Sequence, residues 1–296
     1  MCDIISKNGV GDKTMKSHSE RVALAERIAK AEDNRDIATI DRDMFVVKSN
    51  TMIQKSRFAL NLQEQRIVLY IISKIKPDDT ELLNQSFSIK EFCDICGVEY
   101  NNTGNNYAYI KKTIKSIADK SMWIEIEKGK ETLVRWIEKP TINHGKGTID
   151  IRLDKDLMPY LIQVKKQYTQ YPLLNVIAMK CKYSVRLYEL LKSYANLGSK
   201  TFEVEELKKR LNAENYVNFS NFRVKVLEPS LAEIKLYSDL DIGYVLRRNG
   251  RKVERIDFII TPISDLQERM KKWANVGDKL NKEEYRALYG KVYGEE

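Results

Sequence analysis

The sequence predicts an α+β protein in which one architecture is used twice in tandem, with helical extensions at both ends. Three observations carry this. Apolar segments recur in the same order at a nearly constant separation. Each set runs helix, strand–helix, helix, hairpin. The second set closes on two alternating apolar runs joined by Asn249-Gly250, a strong short-range hairpin signal.

The elements follow in chain order. Residues 1–44 read as an extension, helical or partly disordered, in which RVALAERIAKAEDNRDIA, Arg21 to Ala38, has helical composition. The first unit spans 45–160. Its opening helix contains QRIVLYIISKI (Gln65–Ile75), with Asn61 as N-cap and Glu64 at the capping-box position. A short strand at Phe87–Ile89 leads into a helix from Lys90 to Cys96, stopped by Gly97. YIKKTIKSIADKSMWIEIE, Tyr109 to Glu127, supplies a longer helix and then a hairpin from Trp123 to Trp136.

The second unit spans 161–262 and repeats this order. SVRLYELLKSY (Ser184–Tyr194) aligns with the first helix at an offset of 118 residues, by the shared Leu-Tyr at 69 and 187. TFEVEELKKRLNA (Thr201–Ala213) aligns with SFSIKEFCDICGV (Ser86–Val98) at an offset of 115, Phe202 on Phe87. FRVKVLEPSLAEI (Phe222–Ile234) is the third helix, with Ser220 as candidate N-cap. Stepping about 100° per residue places Phe222, Val226, Leu227, Ser230 and Ile234 on one stripe, with Leu231 at its margin. Asn221, Val224, Lys225 and Glu228 take the opposite face, and Arg223 lies between. Pro229 removes an N–H from this helix, so one kinked helix is expected rather than two separate ones. In the hairpin, Leu240, Ile242, Tyr244 and Leu246 alternate, as do Ile256, Phe258 and Ile260, around a type I′ turn at Asn249-Gly250. Residues 263–296 form a polar helical tail with Leu266, Met270 and Trp273 as an apolar stripe.

Helix, strand–helix, helix, hairpin is the order of a winged helix-turn-helix domain. There the helix before the hairpin enters the major groove and the hairpin is the wing. Charge agrees. The chain has 51 Lys and Arg against 42 Asp and Glu, a net +9. Residues 1–161 carry a net +2, 162–260 a net +7 and 261–296 none. A basic excess confined to one third of the chain suggests a polyanionic partner. Within it, Arg247, Arg248, Arg251 and Lys252 surround the hairpin tip with no acid between Asp241 and Glu254, which suits phosphate or minor-groove contact. Asn221, Arg223, Val224 and Lys225 are the candidate base-facing residues. Val224 reads either as a contact to a thymine methyl or as an incidental exposed valine. Lys208, Lys209 and Arg210 end the preceding helix and suit either DNA phosphates or the helix C-terminus itself. In the first unit Lys111, Lys112 and Lys115 form a weaker basic run. Its hairpin mixes acids with bases, which leaves that surface for protein contacts.

Other classes find little support. GVGDKT (Gly9–Thr14) has Asp12 where a phosphate-binding loop needs glycine. His18 and His144 are the only histidines, against the paired-histidine metal motif of nicking initiators. Cys93 and Cys96 form a CxxC without a second ligand pair and read as small apolar residues on a buried helix. No metal, cofactor or catalytic site is expected. No apolar run reaches the roughly 20 residues of a membrane span and the N-terminus lacks a signal-peptide core, so a cytoplasmic location is expected.

YSVRLYELLKSY (Tyr183–Tyr194), FRVKVLEPSLAEI and the strand DLDIGY resemble the initiator Rep proteins of iteron-containing bacterial plasmids. NLQEQRIVLYIISKI and SIADKSMWI resemble segments of that family's first domain, so the likeness runs over roughly residues 45–260. The resemblance implies two winged-helix domains binding direct repeats at a plasmid origin. The second domain would read sequence, and the first would add backbone contacts and mediate dimerisation. Monomers would open the origin with the host initiator and replicative helicase, and dimers would repress the protein's own gene. It places the DNA-reading role on Asn221, Arg223, Val224 and Lys225, although family members often carry a more basic run there. A winged-helix repressor with no initiator role shares all of these DNA-binding features.

Overall fold

A computed structural model describes residues 45–76, 79–82, 84–96, 105–162, 164 and 167–263. The helix expected at 21–38, the GVGDKT segment, the stop at Gly97 and the tail stripe Leu266, Met270, Trp273 lie outside the described residues, as does the side chain of Cys96.

The first unit opens with β1 (Phe45–Ser49), α1 (Asn50–Lys55) and β2 (Ser56–Arg57). Next comes α2 (Leu62–Ser73), whose capping box is formed: Asn61 Oδ1 accepts from the Glu64 N–H at 3.0 Å, and Glu64 Oε2 accepts from the Asn61 N–H at 2.7 Å. Glu64 is fully buried and also takes both Lys120, at 2.6 and 2.7 Å, and Ser116, at 2.6 Å, so its charge is matched in the core. β3 (Gln85–Ser88) runs into α3 (Ile89–Cys96), which buries Phe92 and Cys93. α4 (Asn105–Ala118) then precedes the hairpin β4 (Ser121–Glu127) and β5 (Lys130–Arg135). A second hairpin follows, β6 (Thr141–Asn143) and β7 (Thr148–Ile151).

Here the two units diverge. In the first, the strand before α3 pairs with β7, and the β4–β5 wing is extended by β2 instead. In the second, the equivalent strand pairs directly with the wing. The first wing is therefore free of the strand that braces the second.

α5 (Met158–Leu161) leads to β8 (Tyr168–Pro172), which pairs antiparallel with β1 from Phe45↔Pro172 to Ser49↔Tyr168. The boundary expected at residue 161 cuts through this pairing, because residues 168–172 complete a ribbon begun by the first unit. α6 (Leu174–Ile177) and α7 (Lys182–Lys192) follow. Cys181 offers α7 no side-chain cap. The carboxylate of Glu233 lies just ahead of the helix, accepting from the Lys180 and Cys181 N–H groups at 3.2 Å, and places a negative charge at the helix N-terminus.

The second unit continues with β9 (Ser199–Glu203), α8 (Val204–Leu211), α9 (Phe219–Phe222), a π-turn (Arg223–Leu227) and α10 (Glu228–Tyr237). Its wing is β10 (Leu240–Asn249) and β11 (Lys252–Pro262), in a sheet of order β10-β11-β9. Buried apolar side chains of both units join one continuous core. Among the described residues no helix is long and apolar enough to cross a membrane.

Two local expectations change. Helix α9 starts at Phe219 with Asn218 at the N-cap position, two residues before the expected cap Ser220. The wing turn has Asn249 opposite Lys252, so Gly250 and Arg251 are its central residues. Gly250 alone there has a positive φ, of 58°. That is the type II′ pattern with glycine first, not the type I′ turn expected at Asn249-Gly250.

Candidate nucleic-acid interface

The helix before the second wing runs unbroken through one irregular turn. Phe222, Arg223, Leu227 and Glu228 all keep right-handed helical backbone, so α9, the π-turn and α10 run on without a break. Pro229 has no N–H to return to the preceding turn, and the chain widens just before it rather than separating into two helices. The Glu228 N–H reaches back five residues to the Arg223 carbonyl. The apolar stripe is as expected: Phe222, Val226, Leu227, Ser230, Leu231 and Ile234 are buried. Asn221, Val224 and Lys225 are exposed, Val224 by 55%.

Arg223 is half-exposed. Its Nε donates to Glu228 Oε1 at 2.8 Å, and Tyr244 of β10 lies with its hydroxyl 3.4 Å from the same oxygen. The bond to Glu228 raises the Arg223 pKa. Burial, and then the Glu228 charge, raise that of the Tyr244 phenol. This cluster fastens the base of the wing to the π-turn. Neither Glu228 nor Tyr244 stood out as a partner of Arg223 in the sequence, because five residues is the wrong spacing for a pair on a regular helix.

At the wing tip Arg247, Arg248, Arg251 and Lys252 are all exposed. They are not equivalent. Arg247 Nε donates to Asp257 Oδ2 at 2.5 Å, while Thr201 Oγ1 donates to the other oxygen at 2.8 Å. These bonds hold the Asp257 carboxyl below the usual carboxylate range, that to Arg247 foremost. A register shift between Arg247 and Arg248 leaves Glu254 without a cross-strand partner, and Asn249 Nδ2 donates to its carboxylate at 3.0 Å. Arg255, which the sequence pattern did not single out, is exposed directly opposite Arg247.

The KKR run at the end of α8 divides three ways. Lys209 is exposed and Arg210 is half-buried, in an ion pair with Glu206 at 3.3 Å. Lys208 is only 1% exposed. Its ammonium donates to Glu205 at 2.9 Å and to the Val217 carbonyl at 3.0 Å, and lies over the Phe222 ring. Lys208 is thus a brace for the turn between α8 and α9, and the expectation that it reaches DNA phosphates is withdrawn. Its spacing carried the signal: 204, 207, 208 and 211 form one helical stripe, and the other three are Val204, Leu207 and Leu211.

In the first unit Lys111, Lys112 and Lys115 are exposed on α4, and Lys115 pairs with Asp119. On the β4–β5 wing Trp123 and Leu133 stand opposite each other, 48% and 52% exposed. An outward apolar pair on a wing whose cations are interspersed with acids differs in kind from the arginine-rich tip of the second unit.

Comparison with known proteins finds two family matches. The description "Initiator Replication protein, WH1" fits residues 45–192, and "Initiator Rep protein, WH2" fits residues 203–260. A replication initiation protein of Escherichia coli is 24% identical over 228 residues, covering 73% of this chain and 69% of that one. Among solved structures, a crystal structure of domains 2 and 3 of RctB aligns with a TM-score of 0.38 at 15% identity, over 69% of this chain and 81% of that one.

Proposed function

The chain belongs to the initiator replication protein family, with both winged-helix regions matched, and from this premise we propose that it initiates plasmid replication by binding direct repeats in double-stranded DNA at the origin. The observation that carries the reading is the second unit. A helix flank with Asn221, Val224 and Lys225 exposed and Arg223 half-exposed adjoins a wing whose tip presents Arg248, Arg251 and Lys252 to solvent. A helix of this kind supplies base-edge contacts and a cationic hairpin supplies phosphate contacts, the two components of sequence-specific binding.

The first unit takes the supporting role. Lys111 and Lys112 would touch the phosphate backbone, and the Trp123–Leu133 pair would face another copy of the protein when it dimerises to repress its own gene. Host initiator and replicative helicase would then act on the opened origin. The protein itself works by binding and distorting DNA in the cytoplasm, without covalent chemistry or a cofactor.

The test is a footprint of the full-length protein on the DNA flanking its reading frame. Protection of several direct repeats beside an AT-rich tract is the expected result. Protection of a single inverted repeat would make the protein a repressor instead, and absence of any footprint would overturn the reading altogether.

A further inference from the structure

We propose that Glu228 is a positioning residue for base recognition: it grips Arg223 by Nε so that the two terminal guanidinium nitrogens form a fixed fork for a guanine. This rests on the reading that the helix containing Arg223 enters the major groove.

The geometry has an unusual cause. On an α-helix, residues five apart are separated by about 140° and do not meet. Arg223 and Glu228 meet because the π-turn closes between them: the Glu228 N–H bonds the Arg223 carbonyl, and the Glu228 carboxylate bonds the Arg223 side chain at 2.8 Å. One pair of residues is therefore joined twice, through backbone and through side chain. Pro229, the next residue, withholds the N–H that a regular ladder would need, which favours the wider turn. From the other side, the Tyr244 hydroxyl approaches the same carboxylate oxygen.

The consequence is directional. An arginine reads guanine by two parallel bonds, to O6 and N7. With Nε held by Glu228, the end-on pair of Nη atoms remains, and among the described residues Arg223 has no other ion-pair partner. A planar fork restrained at its root loses less freedom on binding than a free one. The carboxylate would otherwise be out of place. An acid half-exposed beside the DNA-facing flank repels phosphate, and as a surface ion pair it contributes little to stability. Its presence is explained if it trades overall attraction for discrimination at one base pair.

The experiment uses the full-length protein and a randomised duplex library. The duplex recovered by the wild type is then re-measured with each guanine pair replaced in turn, against wild type, Glu228→Ala, Glu228→Gln, Arg223→Ala and the double variant Arg223→Ala/Glu228→Ala. The wild type should prefer guanine at one position by about tenfold or more. Arg223→Ala and Glu228→Ala should both lose that preference, at the same position, and Glu228→Gln should keep part of it. In the Arg223→Ala background the Glu228 change should add nothing. Binding of Glu228→Ala to random duplex should be unchanged or stronger, which a folding defect would not produce. If Glu228→Ala instead strengthens recovered and altered duplexes equally, the inference is overturned while the DNA-reading assignment stands. If the wild type recovers no preferred duplex, both fall.

Discussion

Lys208 shows why a charge count and a charge's position are different things. It sits in a run of three cations, yet helical phase turns it onto the stripe of Val204, Leu207 and Leu211, and its ammonium satisfies a turn carbonyl. Lys208→Met keeps the aliphatic stem but abandons two charge-assisted bonds, so we expect a loss of roughly 1–3 kcal/mol of stability. DNA affinity per folded molecule should be unchanged, as read by denaturation and by titration at low temperature. The wing arginines divide in a similar way. Arg248→Ala should reduce the slope of log affinity against log salt by about 1, the value for one phosphate contact. Arg247→Ala should change it less, because Asp257 already engages that guanidinium. The positions of these side chains were legible from the alternation of the hairpin; their partners were not. Asp257 and Arg247 meet only through the cross-strand register, which the turn position sets.

For the elements, periodicity was a good guide to existence and a weaker one to detail. Every helix and wing of the repeat is present, and the stripe from Phe222 to Ile234 is buried as its spacing implies. The π-turn was hidden because an apolar stripe continues through it, and Pro229 alone signals a bend without saying which kind. Pro229→Ala supplies an N–H and favours a regular ladder, which would rotate Glu228 away from Arg223. We expect the base preference of that variant to match Glu228→Ala in the same duplex assay, with thermal stability equal or higher. At the hairpin, Asn-Gly correctly marked a turn, but the chain pairs Asn249 and moves the loop one residue onward. A Cβ added at Gly250 would touch nothing within 4 Å, so the strain of its positive φ is the whole cost. Gly250→Ala should destabilise by about 1 kcal/mol in chemical denaturation. In the first unit the short strand at Phe87 was legible but its sheet was not, since strands as short as β2 and β6 carry no period of their own and β3 pairs with the unforeseen β7.

At the scale of the molecule, the repeat was visible in the sequence while the junction between its copies was not. The junction centres on α7, expected as an apolar helix, where Arg186 and Glu189 are buried. Arg186 donates to the Ile53 and Ser56 carbonyls of the first unit, at 2.8 and 2.9 Å, and to the Arg210 carbonyl of the second, at 3.3 Å. Burial draws its pKa down to about 10. Glu189 takes Lys48 of β1 and Tyr171 of β8, each at 2.5 Å, while the neighbouring Tyr188 donates to Asp239 at 2.8 Å. Removing one member of such a buried set strands the others, so Glu189→Ala should cost about 3–5 kcal/mol in urea unfolding. Burial, reinforced by the nearby carboxylates, holds the Tyr171 and Tyr188 phenols well above their ordinary pKa. Both stay protonated in the folded chain when the unfolded chain has released them, so their contribution is complete below about pH 10 and is lost as pH climbs beyond it. Tyrosinate absorbance should show these two phenols appearing only with unfolding. The alkaline fall in stability should be shallower in Tyr171→Phe and Tyr188→Phe than in the wild type.

The β1–β8 ribbon also has a consequence in time. Val47 of β1 waits for Gln170 of β8, and at synthesis rates of about 5–20 residues per second that partner leaves the ribosome several seconds later or more. Through that interval the nascent first unit holds an apolar strand with an open edge. Among the described strands of the first unit, the first made is thus the last to be paired, and a chain halted before β8 should be far more prone to aggregate than one halted just after it.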